Sequence, residues 1–188
     1  MSHSFPLTTE RLLLRGFRPV DAPAVQLLAG DRAVADTTRV VPYPYLDGMA
    51  EAWIASHQPP GPENSSIELA IELRKDGTLI GAISLVEINR TDSRAEMGYW
   101  IGKPFWGEGY CTEAAAELLR YAFEQLCLNR VCARSLTRNP ASARVLEKIG
   151  MTREGCLRQH NRKWETFEDV TTHGVLVAEW RDTDPTGN

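Results

Sequence analysis

The sequence is short of several things, and each shortage removes a class of function. Lysine occurs only at Lys75, Lys103, Lys148 and Lys163, and the formal net charge is −4. No general basic field is therefore present to recruit nucleic acid directly. The four cysteines, Cys111, Cys127, Cys132 and Cys156, show no C-x-x-C spacing, which argues against a zinc site. No apolar run is long enough to cross a membrane as a helix. The opening Met1-Ser-His-Ser-Phe-Pro lacks the basic and apolar regions of an export signal. The expectation is a cytoplasmic chain with reduced thiols and no metal. No internal repeat or low-complexity tract appears. What remains is ordinary: 188 residues, 43% hydrophobic and 24% charged, enough for one domain with a sizeable core. That domain is expected over the whole 1–188, with its core at about 8–181.

The most informative stretch runs from Glu96 to Arg120. Met97, Tyr99 and Ile101 alternate with Gly98 and Trp100, the pattern of a strand. Gly102-Lys103-Pro104 stops it. After Cys111 the apolar residues change to helical spacing through Ala115, Leu118, Leu119, Ala122 and Phe123. Between strand and helix lies a loop with Gly107 and Gly109. The first N–H groups of a helix lack internal partners, and the helix dipole adds positive character there. A glycine loop opening a helix is thus either a phosphate cradle, here Gly107 to Thr112, or a plain connection. No Gly-Lys-Ser/Thr follows, so it is not a Walker loop, and it lacks the third glycine of a dinucleotide fingerprint.

Along the rest of the chain, Glu10 to Phe17 reads as a strand. Asp21 caps a short helix through Gly30, Ala35 to Asp47 is irregular, and Asp47 begins a second helix. Ile67, Leu69, Ile71 and Leu73 alternate with polar residues, Asp76-Gly77 turns the chain, and Leu79–Ile88 and a strand from Arg94 complete a meander. Arg130 to Leu136 is a strand. Asn139-Pro140 starts a helix that Gly150 ends. Glu154–Gln159 is a strand, His160 to Phe167 a polar loop, and Val170 to Trp180 a last strand. An exposed strand edge and the Val175–Trp180 segment would admit a homodimer. The order gives an α/β (α+β) fold, a mixed sheet of about seven strands with helices on both faces.

Trp106-Gly-Glu-Gly-Tyr-Cys-Thr-Glu113 resembles the pyrophosphate loop of the GNAT superfamily of N-acetyltransferases. Within it the sequence is similar to the RimJ/RimL-like group, whose members acetylate ribosomal-protein N-termini. Thr9-Glu-Arg-Leu-x-Leu-Arg15 and Asn139-x-x-Ser142-x-x-x-Leu146 extend the likeness over nearly the whole chain. The resemblance implies acetyl-CoA as co-substrate, a primary amine as acceptor and a splay between the strands at 96–101 and 130–136 for the pantetheine arm. It implies cofactor contacts from Trp106, Gly107, Glu108, Gly109, Tyr110, Cys111 and Thr112, from the strand at Tyr99, Trp100 and Ile101, and from Asn139. Arg144 and Lys148, four apart on the same helix, either meet the cofactor's phosphates or are solvated surface charge. Trp106 departs from the superfamily's Gln or Arg, and Cys111 from its Ala or Gly.

The wider superfamily carries a tyrosine acid where this chain has Leu146. The resemblance places Ser142 at the thioester sulfur instead, while the spacing alone also fits a helix-cap partner of Asn139. The amine must be neutral to attack. An α-amine titrates near about 7.7–8.0, far below a lysine at about 10.4, so a weak base or water suffices. Glu96 is the candidate base; alternatively it is a surface carboxylate paired with Arg94 or Arg90. A catalytic glutamate of some group members is matched here by Asn161. Histidines 57 and 160 read as surface residues and His173 as a partly buried one. Cys111, at a helix N-terminus, is either a thiol of lowered pKa or a small loop filler. The acceptor is a protein or peptide N-terminus, which the resemblance extends to ribosomal proteins, or a small amine; an acidic pocket from Glu63, Glu68 or Glu165 would favour polyamines. A non-catalytic acyl-CoA-binding module is the third reading.

Overall fold

The computed structural model describes residues 5–181. The chain runs β1 (Leu7–Thr8), β2 (Leu12–Arg15), α1 (Ala22–Ala29), α2 (Arg32–Thr37), α3 (Met49–Ala55), β3 (Ile67–Leu73), β4 (Leu79–Asn89), β5 (Arg94–Ile101), α4 (Tyr110–Glu124), β6 (Arg130–Leu136), α5 (Pro140–Lys148), β7 (Thr152–Lys163), β8 (Thr166–Leu176) and α6 (Val177–Arg181). One eight-stranded sheet has the order β1-β2-β3-β4-β5-β6-β8-β7. Every pairing is antiparallel except β5 with β6. Of the opening Met1–Pro6, expected to carry no export signal, residues 1–4 lie outside the described residues, as do those beyond Arg181.

The sheet separates two apolar clusters. On one face Ile67, Leu69, Ile83, Leu85, Met97 and Val131 pack against Leu118, Leu119 and Ala122 of α4 and Leu146 of α5. On the other, Ala70 and Leu79 meet Val25 and Ala29 of α1 and Ala50 and Ile54 of α3. The period of two in β3 puts Ile67, Leu69, Ile71 and Leu73 at 0–3% exposure while Glu68 and Glu72 stay half-buried. At Asp76-Gly77 the expected turn forms, with Gly77 at φ +74°.

The structure corrects several boundaries. The strands number eight, because Leu7 and Thr8 pair with Leu14 and Leu13. The segment read as irregular begins inside α2, whose N-terminus is capped by the Asp31 carboxylate accepting from the Ala33 amide at 2.7 Å. Asp21 does not cap α1. Its carboxylate accepts from Arg15 at 2.7 and 2.9 Å and from the Arg18 amide at 2.7 Å. The second helix starts at Met49, after Gly48 at φ +83°. The polar loop expected over His160–Phe167 is instead a tight turn between two long strands. Its polar side chains hid a strand because the hairpin is largely exposed, while buried Lys163 donates to the Val41 carbonyl at 2.8 Å. The last strand stops at Leu176. Val175 is buried between β6 and β7, and Trp180, in α6, stacks on Phe123 at 5.4 Å, so this segment offers no free edge.

Candidate active site

The parallel pairing of β5 and β6 runs only from Arg94/Arg130 to Met97/Ala133. Beyond it the strands part, opening the splay expected between them. The Gly102 amide bonds the Ile80 carbonyl of β4 at 2.8 Å. Backbone groups alternate edge by edge along a strand. The amides of Ile101 and Tyr99 therefore turn to the opposite edge, where β6 has departed, and have no ladder partner there.

A cavity of about 620 Å³ passes through this opening. It is lined on the α4/α5 side by Tyr99, Ile101, Tyr110, Cys111, Ser142 and Leu146, and on the α1–α3 side by Trp53, His57, Glu68, Ser84 and Trp100. Glu68, Ser84 and Gly98 are paired directly across β3, β4 and β5, so they form one row leading to the splay.

The glycine loop has the geometry of an anion cradle. Gly107 and Gly109 sit at φ +85° and +80°, conformations that favour glycine, and no atom crowds the place of a Gly107 side chain. Gly109 caps the 15-residue helix α4 without a side-chain bond. Among the described residues the amides of Tyr110, Cys111 and Thr112 have no partner. Two side chains brace the loop from behind. The Trp106 indole donates to the Ile101 carbonyl at 2.6 Å. Arg11 donates to the Glu108 carbonyl at 3.0 Å, pairs with Glu113 at 2.6 Å and lies 4.6 Å from the Tyr110 ring. The Glu108 side chain is exposed and is not part of the cavity wall.

On α5, the Asn139 carbonyl oxygen accepts from the Ser142 amide at 3.2 Å, and its NH₂ donates to the Thr37 carbonyl at 3.0 Å. Asn139 thus caps α5 and ties it to α2. The Ser142 hydroxyl lies 2.9 Å from the Tyr99 hydroxyl, which also bonds the Ser142 carbonyl at 3.2 Å. Burial pushes the Tyr99 phenol pKa up. Burial likewise pushes the Cys111 thiol up to about 12, so of its two readings the lowered thiol fails: desolvation outweighs the helix terminus.

Glu96 is 5% exposed and does not pair with Arg94 or Arg90. One oxygen accepts from Arg39 at 2.6 Å, and the other accepts from Arg134 through Nε at 2.8 Å and through a second guanidinium nitrogen. Both arginines line the cavity and Glu96 does not. The Glu96 hydrogen bonds raise the Arg134 pKa. Of the remaining candidates, Tyr99, Trp100, Ile101, Trp106, Gly107, Gly109, Tyr110, Cys111, Thr112, Asn139, Ser142 and Arg144 all reach the one cavity. Of the carboxylates expected to make an acidic pocket, only Glu68 does; Glu63 is exposed in its loop, and Glu165, 93% exposed, pairs with Arg162. Nor does Asn161 reach the wall.

His57, read as a surface residue, lines the cavity under the rings of Trp53 and Phe17 at 4.4 and 5.6 Å. Its Nδ1 is buried without a partner, and desolvation lowers its pKa despite Glu68. The signal was its position one helical turn after Trp53. Arg39 and Arg134 were missed as well; an arginine in the middle of β6, flanked by Ala133 and Ser135, was the available sign.

Comparison with known proteins gives consistent matches. Residues 11–152 match the family model described as "Acetyltransferase (GNAT) domain". The "Putative ribosomal N-acetyltransferase YdaF" of Bacillus subtilis (strain 168) is 40% identical over 105 residues, 56% of this chain and 57% of that protein. The "Uncharacterized N-acetyltransferase YoaA" of the same organism is 31% identical over 92% of this chain and 97% of its own length. In fold, the chain is similar to the Vibrio cholerae spermidine N-acetyltransferase solved with CoA and spermine, at TM-score 0.78 and 21% identity, over 92% of this chain and 99% of that one.

Proposed function

The chain belongs to the GNAT acetyltransferase family, and on that premise we propose that it transfers the acetyl group of acetyl-CoA to the α-amine of a protein or peptide N-terminus. The carrying observation is convergence: partnerless helix amides, an opened strand pair and the Tyr99–Ser142 hydroxyl pair meet in one cavity. The amides of Tyr110 to Thr112 suit the pyrophosphate, because they present donors and dipole to negative charge. Arg144, on the exposed side of α5, adds charge beside it. The arm then lies in the splay, with the edge-facing amides of Tyr99 and Ile101 as donors.

The reaction is direct attack. A neutral α-amine, entering along the Glu68–Ser84–Gly98 row, bonds to the thioester carbonyl carbon, and the carbonyl oxygen takes up negative charge. Donors aimed at that oxygen stabilise it more than they stabilise the ground state. The attacking nitrogen, positively charged once bonded, gives up a proton to His57 or water; the C–S bond then breaks and the thiolate takes a proton. Leu146 has none to give. Ser142 is the donor we assign, with the Tyr99 hydroxyl behind it to orient and re-protonate it. Burial keeps that phenol protonated, so it remains a donor. Asn139, with both ends of its amide engaged, holds the first turn of α5 in place.

The ammonium proton leaves before attack. Glu96 is a poor acceptor for it, since both its oxygens already face guanidinium groups. His57 in the cavity wall, or water, takes that role, which is small for an α-amine. The ribosomal wording of the YdaF name supports a protein N-terminus. Spermine in the Vibrio enzyme suggests a polyamine, but the lining of this cavity offers Glu68 alone against Arg39 and Arg134.

The test is release of CoA thiol from acetyl-CoA with short peptides beginning Ser, Ala or Met, with polyamines and with free amino acids. Release driven by the peptides supports the reading. Release by polyamines alone overturns the acceptor, and no release with any amine overturns the enzymatic reading of this site.

A further inference from the structure

Resting on that reading, we propose that the acceptor carries a carboxylate close to the amine it presents, gripped by Arg39 and Arg134. The two guanidiniums come from different parts of the chain, Arg39 from the segment after α2 and Arg134 from β6. They converge on the single carboxylate of Glu96, at 2.6 Å and, through Arg134 Nε, at 2.8 Å. Glu96 is almost fully covered, whereas the two arginine side chains keep 24% and 27% of their exposure and form cavity wall. Two guanidiniums share one bonded carboxylate here; Glu87, the further carboxylate whose charge reaches Arg134, is exposed and bonds neither arginine.

Donor capacity points the same way. A guanidinium has five N–H groups in a planar fork suited to a carboxylate. Among the described residues neither arginine makes a hydrogen bond other than those to Glu96. The Glu96 carboxylate fixes both forks from behind, so a second carboxylate meets prepositioned donors. Glu68 lies across the sheet, on the row that leads to the splay, and offers the protonated amine an attractive wall before it is deprotonated. The cavity is thus polarised: acid near the amine's approach, paired arginines at the other end. A polycation would set ammonium groups against those arginines. An amine with a nearby carboxylate satisfies both ends.

The carboxylate has two sources, an Asp or Glu near a peptide N-terminus or the α-carboxylate of a free amino acid. Matched acceptors separate them: peptides beginning Ser-Asp against Ser-Asn, and serine against serinamide, with acetyl-CoA saturating. One charge-assisted contact with two arginines should favour the acid by about 10- to 100-fold in kcat/KM, mostly through KM and weakening with added salt. A preference confined to the first pair identifies a peptide; one confined to the second identifies an amino acid. Arg39→Gln should reduce the preference several-fold, and it leaves Arg134 and Glu96 as a balanced one-to-one pair, so the fold is kept. A binding arm needs no turnover: N-acetyl-Ser-Asp and N-acetyl-Ser-Asn peptides, and N-acetylserine with its amide, are titrated into the protein with CoA, and each acid should bind at least 10-fold tighter if its source is correct. Equal kcat/KM and equal binding for acid and amide in both pairs would overturn the inference. If peptides with neutral second residues still release CoA thiol, that failure leaves the acetyl-transfer reading intact.

Discussion

Replacing Glu96 with glutamine separates a strut from a base. In the native protein one carboxylate holds two arginines, and its own exposure is 5%. The amide keeps the shape but removes the charge, leaving two guanidiniums facing each other over a neutral group. Removing one partner of a buried pair costs about 3–5 kcal/mol. Here the arginines retain about a quarter of their exposure, so water recovers part of that. We expect roughly 2–3 kcal/mol, and for a chain of this size each kcal/mol moves the melting temperature by about 2–4 °C. The variant should therefore melt roughly 4–12 °C lower in a thermal scan. Its kcat at saturating acceptor should stay within about tenfold of the parent, because a general base is worth about 10²–10⁴ and the proposed mechanism gives Glu96 no such role. A variant with unchanged melting temperature and a kcat lower by about 10³ would refute the strut and restore Glu96 as the base.

Other consequences can be checked separately. Cys111, its thiol pushed up to about 12 by burial, should react with iodoacetamide at pH 8 far more slowly than exposed Cys127 and Cys156, as peptide mass mapping would show; fastest labelling at Cys111 would mean the helix terminus dominates. Tyr99→Phe should lower kcat but less than Ser142→Ala, at a stability cost of about 1 kcal/mol for the lost hydrogen bond; equal, severe losses would move the proton donor from Ser142 to Tyr99. His173 is wholly buried with both ring nitrogens unpartnered, and desolvation lowers its pKa. Below about pH 6.5 the unfolded chain binds a proton that folded His173 resists, so stability should fall as pH drops below that value. His173→Leu should flatten the melting temperature between pH 5 and 6.5, and an unchanged slope would assign it to other groups.

The parts of this molecule that were legible in its sequence share a physical cause. β3 reads cleanly because one face is wholly apolar while the other carries the half-buried Glu68 and Glu72, so period two is written into Ile67 to Leu73. The loop from Gly107 to Thr112 reads because the left-handed backbone at Gly107 and Gly109 leaves glycine as the favoured residue. The start of α5 reads because Asn139 and Pro140 suit the cap and first turn of a helix. Illegible parts depend on contacts distant in sequence. Nothing local to Arg39, Glu96 or Arg134 says that they meet. The β7–β8 hairpin is largely solvated, so polar residues from His160 to Phe167 look like a loop whether or not their backbone is paired. Cys111 shows competition between two local rules: a helix terminus lowers a thiol pKa, burial raises it, and only the packed structure says that burial wins.

The most direct test of the central claim is the melting temperature with and without acetyl-CoA. A ligand present at about 100 times its dissociation constant stabilises by about 2.7 kcal/mol, which for this chain is a rise of roughly 5–11 °C. That rise is the predicted result, and replacing Gly109 with valine, a β-branched residue ill-suited to φ +80°, should abolish most of it. No rise at millimolar acetyl-CoA would contradict the reading of Gly107 to Thr112 as the pyrophosphate cradle.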